Sequence, residues 1–286
     1  MALYSLDGKT DLNAPVLVAA FDGWVDAGQA GTLAAEQLAQ GGTVVANFDG
    51  DQIYDYRARR PTLDIVNGTL MSLDWPELQL RTTSIDGRDL LILSGPEPDY
   101  RWRELSTDVA ELAKRLGVTS WVSLGAIPAA VAHTRPVPVL GTASVRGLLP
   151  DGVVQGPDGR LRVPSAAISV MELAASSAGI PSLGFYAQVP HYISAAYPSA
   201  AIELLKHVGR YLALELPLGE LTTKALATRS LIDAAAAADE QTKAYVERLE
   251  EMTDEAKLPT GDDLIADIER YLREGGRGGN GGGLPN

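Results

Sequence analysis

Along residues 16–215, short apolar runs alternate with longer segments whose apolar residues recur every three or four positions. The first run, 16–21, follows Pro15 and predicts a buried strand. Continuous apolar runs at 90–93 and 121–124 predict central strands that are covered on both faces. Strands that alternate with helices in this way indicate an α/β sandwich.

The predicted strands are short, rich in β-branched or aromatic residues, and bounded by turn residues. They are 16–21, 43–48, 62–66, 69–73, 78–85, 89–93, 120–124, 142–146 and 183–189. Between 43 and 93 strands follow one another with no long helix between them, and this predicts an antiparallel insertion. We therefore expect a mixed sheet.

The predicted helices are 27–40, 101–116, 165–178 and 199–215. In the second of these, Leu105, Val109 and Leu112 lie on one face, and Gly117 ends the helix as a C-cap. Ser165, directly after Pro164, is the predicted N-cap of the third helix.

The composition changes after Leu218, where strand patterns stop and residues 222–273 show only helical periodicity. The stretch 239–274 holds 12 acidic and 5 basic residues, a net charge of −7, which is typical of solvated helix faces. We predict an appended helical hairpin with its turn at 259–262. The predicted organisation is an α/β core at 1–217, a helical appendage at 218–274 and a disordered Gly-rich tail at 275–286.

A chain of 286 residues, 45% hydrophobic and 21% charged, has the composition of an ordinary globular protein. A chain of this length buries roughly three quarters of its unfolded surface, so it needs no covalent staple. It contains no cysteine, which excludes disulfides, thiolate metal sites and a cysteine nucleophile.

The formal net charge of −13 argues against a general nucleic-acid or anionic-membrane surface. Arg57, Arg59 and Arg60 form a local basic cluster that is too short to change this. The first residues lack the basic and apolar segments of a signal peptide, and no run reaches the roughly 18 apolar residues of a membrane span. We expect a cytoplasmic protein that binds neither nucleic acid nor membrane.

The sequence contains no nucleophile elbow, no phosphate-binding loop and no zinc-protease helix motif. Gly23 and Gly28 resemble a glycine-rich nucleotide loop, but the following lysine and third glycine are missing. The favoured interpretation is a tight strand-to-helix turn that Asp26 caps. We predict no catalytic residue, no cofactor and no metal.

Polar and aromatic side chains nevertheless follow four of the predicted strands. In open α/β sheets the carboxyl ends of strands form the ligand cleft, so these side chains predict a pocket. The predicted ligand-binding residues are Asp22, Trp24, Asp26, Glu97, His133, Arg135 and His191.

Each of these residues has a structural interpretation beside the functional one. His133 and Arg135 fit an acid/base group with an anion clamp, but they also fit a packed histidine and an internal ion pair, which we favour. The N-terminus of the helix after Asp26 would attract an anion, but the carboxylates of Asp22 and Asp26 place negative charge at the same position. These two carboxylates are also a weak candidate site for Mg²⁺. The third histidine, His207, lies within a helix and is predicted to be a structural or surface residue.

Several motifs together resemble the bacterial branch of the proteasome-assembly-chaperone-2 family, over roughly residues 1–270. They are Phe-Asp-Gly-Trp-Val-Asp-Ala-Gly (21–28), Asp-Tyr-Arg-Ala-Arg-Arg-Pro (55–61), Gly-Pro-Glu-Pro (95–98), Leu-Gly-Ala-Ile-Pro (124–128), His-Thr-Arg-Pro (133–136), Val-Pro-His-Tyr (189–192) and Pro-Ser-Ala-Ala-Ile-Glu-Leu-Leu (198–205). The Ala-rich, acidic composition resembles actinobacterial proteins.

This resemblance implies a three-layer α/β/α fold, similar to nucleoside phosphorylases and peptidyl hydrolases, and self-association, with a trimer favoured. Eukaryotic and archaeal relatives assist proteasome assembly or bind the proteasome α-ring, some through a tail that ends in a hydrophobic residue, tyrosine and one more residue. The present chain ends Leu284-Pro285-Asn286 and departs from that pattern. No catalytic residue can be transferred from the family.

Three functions follow as hypotheses. The leading one is a non-enzymatic, oligomeric binding protein that acts on proteasome α-subunits or on another complex. The second is a small-molecule-binding protein, or a hydrolase or phosphorylase-like enzyme, that uses the predicted cleft. The third is an interaction protein whose acidic hairpin, 222–273, recruits a basic partner.

Overall fold

The computed structural model describes residues 2–7, 11–156 and 159–256, which are built around a nine-stranded sheet and a separate two-stranded one. In chain order the strands are β1 (Tyr4–Leu6), β2 (Val16–Asp22), β3 (Thr43–Phe48), β4 (Thr62–Val66), β5 (Thr69–Asp74), β6 (Gln79–Ile85), β7 (Arg88–Pro96), β8 (Ser120–Ala129), β9 (Val139–Ala143), β10 (Val154–Gln155) and β11 (Ser182–Pro190). The α-helices are α1 (Ala30–Ala39), α2 (Gly50–Ile53), α3 (Trp102–Arg115), α4 (Ala167–Ser177), α5 (Pro198–Leu212), α6 (Leu221–Ala237) and α7 (Glu240–Ala256).

The large sheet is mixed, in the order β1-β3-β6-β7-β2-β8-β11-β9-β10. Its central strands β7, β2, β8 and β11 are parallel, and β3, β6 and β7 pair antiparallel on one side. The predicted mixed sheet is confirmed. The hairpin β4–β5 lies outside it as a second, two-stranded sheet.

Side chains of β2 alternate between two cores, and this alternation creates the three layers. Leu17 and Phe21 pack with α3 and α4 on one face, whereas Val16 and Val18 pack with α1 and α5 on the other. The predicted three-layer α/β/α sandwich is therefore confirmed.

The central strands are longer than predicted at their carboxyl ends. β7 continues to Pro96 and β8 to Ala129, because the residues after the apolar runs pair with β2 and β11. The predicted strand at 142–146 lies instead at Val139–Ala143, in register with β11. The short elements β1, α2 and β10 were not predicted.

Two helices follow the sandwich, as predicted, but they are joined at Ala238 and Asp239. The Asp239 carboxylate accepts a hydrogen bond from the Thr242 backbone N–H at 2.8 Å, which starts α7. α7 places Val246 and Leu249 against Ala132. The predicted turn at 259–262, the tail at 275–286 and the terminus Leu284–Asn286 lie outside the described residues, and the division into three parts stays a prediction.

Within the described ranges, no helix has the length and apolarity needed to cross a membrane.

Gly95 should be intolerant of any side chain. It has a φ of 152° in β7, and a Cβ there would lie 2.2 Å from the Glu77 carbonyl oxygen. We expect Gly95→Ala to lower the free energy of unfolding by roughly 3 kcal/mol or more, measured by chemical denaturation. Gly41→Ala is the control, because φ is 71° there and nothing lies within 4 Å of the new Cβ. Equal losses in the two variants would contradict this prediction.

Candidate functional site

The carboxyl ends of β2, β7, β8 and β11 meet at one edge of the sheet because these four strands are parallel. Asp22 is the last residue of β2 and the other six predicted ligand-binding residues follow these strands, so all seven lie at this edge. Their side chains nevertheless separate into distinct groups with different partners.

Asp26 is a buried helix cap. Its carboxylate accepts hydrogen bonds from the Gly31 backbone N–H at 2.7 Å and from the Thr32 hydroxyl at 2.5 Å. Burial raises the pKa of Asp26, and the hydrogen bonds from Thr32 and Gly31 oppose that shift. A carboxylate of the chain itself therefore occupies the start of α1, where an anionic ligand would otherwise bind.

The backbone before α1 is what allows Asp26 to reach this position. Residues Ala27–Gln29 form a single 3-10 turn, and Gly28 has a φ of 63°. A Cβ on Gly28 would lie 2.8 Å from the Cβ of Tyr197, so glycine is required there on both counts. Asp26 itself forms an isolated parallel bridge with Ala126.

Glu97 joins two separate segments of the edge. One carboxylate oxygen accepts a hydrogen bond from the Trp24 backbone N–H at 3.0 Å, and the other accepts one from the Ala167 N–H at 2.7 Å. Its own N–H donates to the Asp22 carbonyl at 2.9 Å. The predicted Ser165 cap is wrong, because the Ser165 hydroxyl donates to the Ala166 carbonyl and Glu97 caps α4 instead.

Asp22 and Trp24 point outward at this edge. The side chain of Trp24 is 70% exposed although its backbone is held by Glu97. Asp22 is also exposed. These two residues are thus on the surface rather than in an enclosed pocket.

His133 is buried beneath the C-terminal helices. Its Nδ1 lies 2.6 Å from the Tyr192 hydroxyl, and its Nε2 lies 3.0 Å from Oδ1 of Asp233 on α6. Because the His133 backbone N–H also donates to the Tyr192 oxygen, the hydroxyl hydrogen is available for Nδ1, and Nε2 donates to Asp233. Burial lowers the pKa of His133, and the Asp233 hydrogen bond opposes that shift.

Arg135 and its neighbour Thr134 bind α7. The Arg135 guanidinium contacts Asp254 at 2.7 and 3.1 Å, and Glu250 at 3.5 Å. The Thr134 hydroxyl donates to Glu250 as well. Here the favoured interpretation of an internal ion pair agrees with the geometry.

His191 and Asp26 line one cleft of 520 Å³, with walls from 26–29, 128, 189–191 and 193–196. Nδ1 of His191 lies 3.1 Å from the Ala129 carbonyl oxygen, so Nδ1 carries the hydrogen and donates it. Nε2 is left to accept from the Tyr245 hydroxyl, 3.2 Å away on α7.

The structure thus brings two of the seven residues into one cleft and holds the others elsewhere along the edge. Ligand binding by any of them stays a prediction. Among the described residues, no three His, Cys, Asp or Glu side chains are placed to hold a metal ion.

His207 has a structural role, since its Nδ1 lies 2.8 Å from the carbonyl oxygen of Glu203, one turn earlier in α5.

A larger groove of 1160 Å³ lies at the opposite edge of the sheet, where no site was predicted. It runs between the β6–β7 turn and the segment from α5 to α6. Its walls include Ile85, Leu205, Leu214 and Leu216, with Arg210 at the rim. This groove is mainly apolar and holds no cluster of catalytic groups.

The hydrogen-bond and ion-pair partners of His133 and Arg135 were not predicted from the sequence. Asp233 and Glu250 lie on helices whose acidic residues were interpreted as solvated, and Tyr192 was noted only as a neighbour of His191. A second missed network is buried under α4, where the Ser123 hydroxyl donates to Glu172 at 2.6 Å and burial raises the pKa of Glu172. The apolar pattern around Glu172 in 165–178 was the available signal.

The chain was compared with known families and structures. A family model described as PAC2 family matches residues 20–236. A Mycobacterium tuberculosis protein of unknown function, Rv2714, is 33% identical with a TM-score of 0.82, and the match covers 95% of this chain and 92% of that one. The proteasome-assembly chaperone homologue Rv2125 of the same organism is 36% identical with a TM-score of 0.73, covering 81% and 99%.

More distant structures share the fold alone. The archaeal proteasome activator PbaB of Pyrococcus furiosus is 17% identical with a TM-score of 0.63, covering 81% of this chain and 97% of that one. The comparison with curated proteins gave no match.

Replacing Asp26 should separate its capping role from its charge. We expect Asp26→Ala to lower the free energy of unfolding by roughly 2–3 kcal/mol, because the Gly31 N–H and the Thr32 hydroxyl lose a buried acceptor. Asp26→Asn keeps an oxygen acceptor without a buried charge and should cost less than about 1 kcal/mol. Urea denaturation of both variants measures the difference, and an equal loss would show that the negative charge itself is required.

The lowered pKa of His133 predicts a loss of stability on acidification. Below about pH 6.5 the histidine takes up a proton in the unfolded chain, whereas buried His133 resists protonation in the folded protein. The free energy of unfolding therefore falls as the pH falls from 6.5 toward the lower pKa of folded His133. His133→Gln should remove this contribution, so the difference between wild type and variant should shrink from pH 7.5 to pH 5.5. Denaturation across that range is the measurement, and a difference that is constant with pH would contradict the prediction. His207→Gln should behave in the same way, since burial also lowers the pKa of His207.

Proposed function

The chain belongs to the PAC2 family, and we propose that it is a non-enzymatic, oligomeric binding protein that acts on proteasome α-subunits. The 36% identical Mycobacterium tuberculosis relative is described as a proteasome-assembly chaperone homologue, and the match spans 99% of it. A cytoplasmic location, predicted from the sequence, is part of this proposal.

The observation that carries the proposal is the exposed indole of Trp24 on a restrained loop. Tryptophan is enriched among the residues that dominate protein–protein binding energy, and an anchor that is fixed before binding loses little conformational entropy. The Glu97 carboxylate holds the Trp24 backbone, while 70% of the side chain faces solvent. This arrangement favours a protein partner.

The polar groups of the edge support the same conclusion. A general acid or base must reach a reacting atom with a free hydrogen-bonding position. Asp26 caps α1, both ring nitrogens of His133 have partners, and Arg135 is paired with α7. These groups thus stabilise the edge, and what remains for a partner is the surface around Trp24.

A second candidate function is small-molecule binding in the cleft shared by Asp26 and His191. Its volume of 520 Å³ is within the usual range for ligand sites, and it opens at the edge where α/β folds bind ligands. The hydroxyl of Ser194 and the amide of Gln29 are in its walls. A hydrolase or phosphorylase-like reaction would have to use these groups.

Trp24→Ala tests the proposed function. We expect it to weaken capture of purified proteasome α-subunits from the same organism at least tenfold in surface plasmon resonance, with an unchanged melting temperature, since the side chain packs little in the monomer. Leu173→Ala, which removes another exposed apolar side chain, on α4, is the matched control and should bind like wild type.

Unaltered binding by Trp24→Ala would contradict the role of this edge. Absence of binding by wild type to α-subunits, both free and in assembly intermediates, would contradict the proteasome proposal itself. Native mass spectrometry of the protein purified from its host separates the two candidates, because a retained small molecule on a chain without α-subunits favours the cleft.

A further inference from the structure

The hairpin formed by β4 and β5, residues 62–74, is a two-sided ribbon with an apolar face. Cross-strand partners share a face, and the pairs Leu63–Leu73 and Ile65–Leu70 are both aliphatic. The pairs on the other face are mainly polar, and there the Ser72 hydroxyl donates to Asp64 at 3.2 Å. The ribbon is therefore amphipathic, like a sheet that covers a core.

The apolar face of this ribbon has no cover within the described part of the chain. Leu63, Ile65, Leu70 and Leu73 are between 43% and 67% exposed, and every residue of both strands is exposed. An isolated two-stranded hairpin is at best marginally stable in water. Contiguous exposed apolar surface of this kind marks an interaction site.

A second apolar surface that no described residue covers lies on α6. This helix buries its inner side against α5, but its outer face presents Leu226 and Leu231, the latter 73% exposed. Between these two leucines, at helical spacing, lie the small residues Ala227, Ser230 and Ala234, all exposed. This strip of aliphatic and small residues is exposed apolar surface of the kind that marks an interaction site.

Charged residues that can pair across a contact lie beside these two surfaces. Arg57 and Arg60, directly before β4, are exposed at the base of the ribbon. Glu247 and Glu251 are exposed on α7, which packs beside α6. Lys224 is also exposed on α6, so the acidic groups that Arg57 and Arg60 can pair with are the α7 glutamates of a second copy.

We propose that the apolar face of the β4–β5 ribbon of one copy docks on the outer face of α6 of a second copy. Two adjacent strands and one helix are each about 10 Å wide, so the four aliphatic side chains of the ribbon fit between Leu226 and Leu231. One contact then covers both exposed surfaces and pairs the arginines with the glutamates. Because the two surfaces differ, the contact is head-to-tail and closes into a ring if the rotation permits.

This inference rests on the oligomeric part of the proposed function and is independent of any proteasome subunit. The test uses the full chain alone, with mass measured by native mass spectrometry and analytical ultracentrifugation. Leu70→Asp and Leu231→Asp should each reduce the wild-type oligomer to a monomer, with at least a hundredfold loss of self-affinity and an unchanged melting temperature. Leu173→Asp, also at an exposed leucine, should keep the wild-type mass.

Mixing the two monomeric variants is the decisive step. The Leu70→Asp chain keeps an intact α6 face and the Leu231→Asp chain keeps an intact ribbon, so together they should form a 1:1 dimer and nothing larger. Loss of the oligomer with Leu70→Asp alone would show ribbon-to-ribbon contact, and loss with Leu231→Asp alone would show that the ribbon is not involved. Either result would overturn the proposal, as would a monomeric wild type, an unchanged mass in both variants, or a mixture that stays monomeric.

Discussion

The buried carboxylate of Glu97 is the contact on which the carboxyl edge of the sheet depends. A buried carboxylate is tolerated only when hydrogen bonds compensate for its lost hydration, and Glu97 obtains them from the backbone of two segments distant in sequence. One bond fixes the loop that displays Trp24, and the other caps α4. Gly23 is part of the same arrangement, because a Cβ there would lie 2.5 Å from the Glu97 carboxylate. The exposed tryptophan and the helix below it are thus fixed by a single side chain.

The same principle explains why a set of chemically capable residues gathers at this edge without forming an obvious active site. Parallel strands bring their carboxyl ends together, and each loop that leaves the sheet must satisfy its polar groups where helices cover it. Asp26 satisfies the first turn of α1, while His133 and Arg135 satisfy the contacts with α6 and α7. Histidine, aspartate and arginine at strand ends therefore serve the architecture first, whereas the indole of Trp24 is exposed at the same edge.

The sequence pattern was sufficient for the central strands, because the apolar runs at 90–93 and 121–124 are buried on both faces. It was insufficient at their carboxyl ends, where Gly95 and Pro128 suggest loops although both residues pair with neighbouring strands. The edge was predictable from the order of strands and polar residues. The hydrogen-bond partners of these residues were not predictable from the sequence, because Glu97 is 70 residues from Ala167 and His133 is 100 residues from Asp233. Such pairings depend on tertiary packing, which local periodicity does not encode.

The ribbon and α6 are attached to the core in ways that suit them to assembly. At the base of the ribbon, Arg59 pairs with Asp99 at 3.3 Å and the Tyr56 and Trp75 rings meet at 4.8 Å, so the apolar face is held away from the core rather than folded onto it. α6 is fixed to the strand edge by Asp233 on His133, and by an Arg229 hydrogen bond of 2.8 Å to the His133 carbonyl. A contact on the outer face of α6 therefore acts on a helix bonded to the carboxyl edge. If the ribbon of a second copy docks there, assembly would stabilise the same His133 network that holds the C-terminal helices on the sheet.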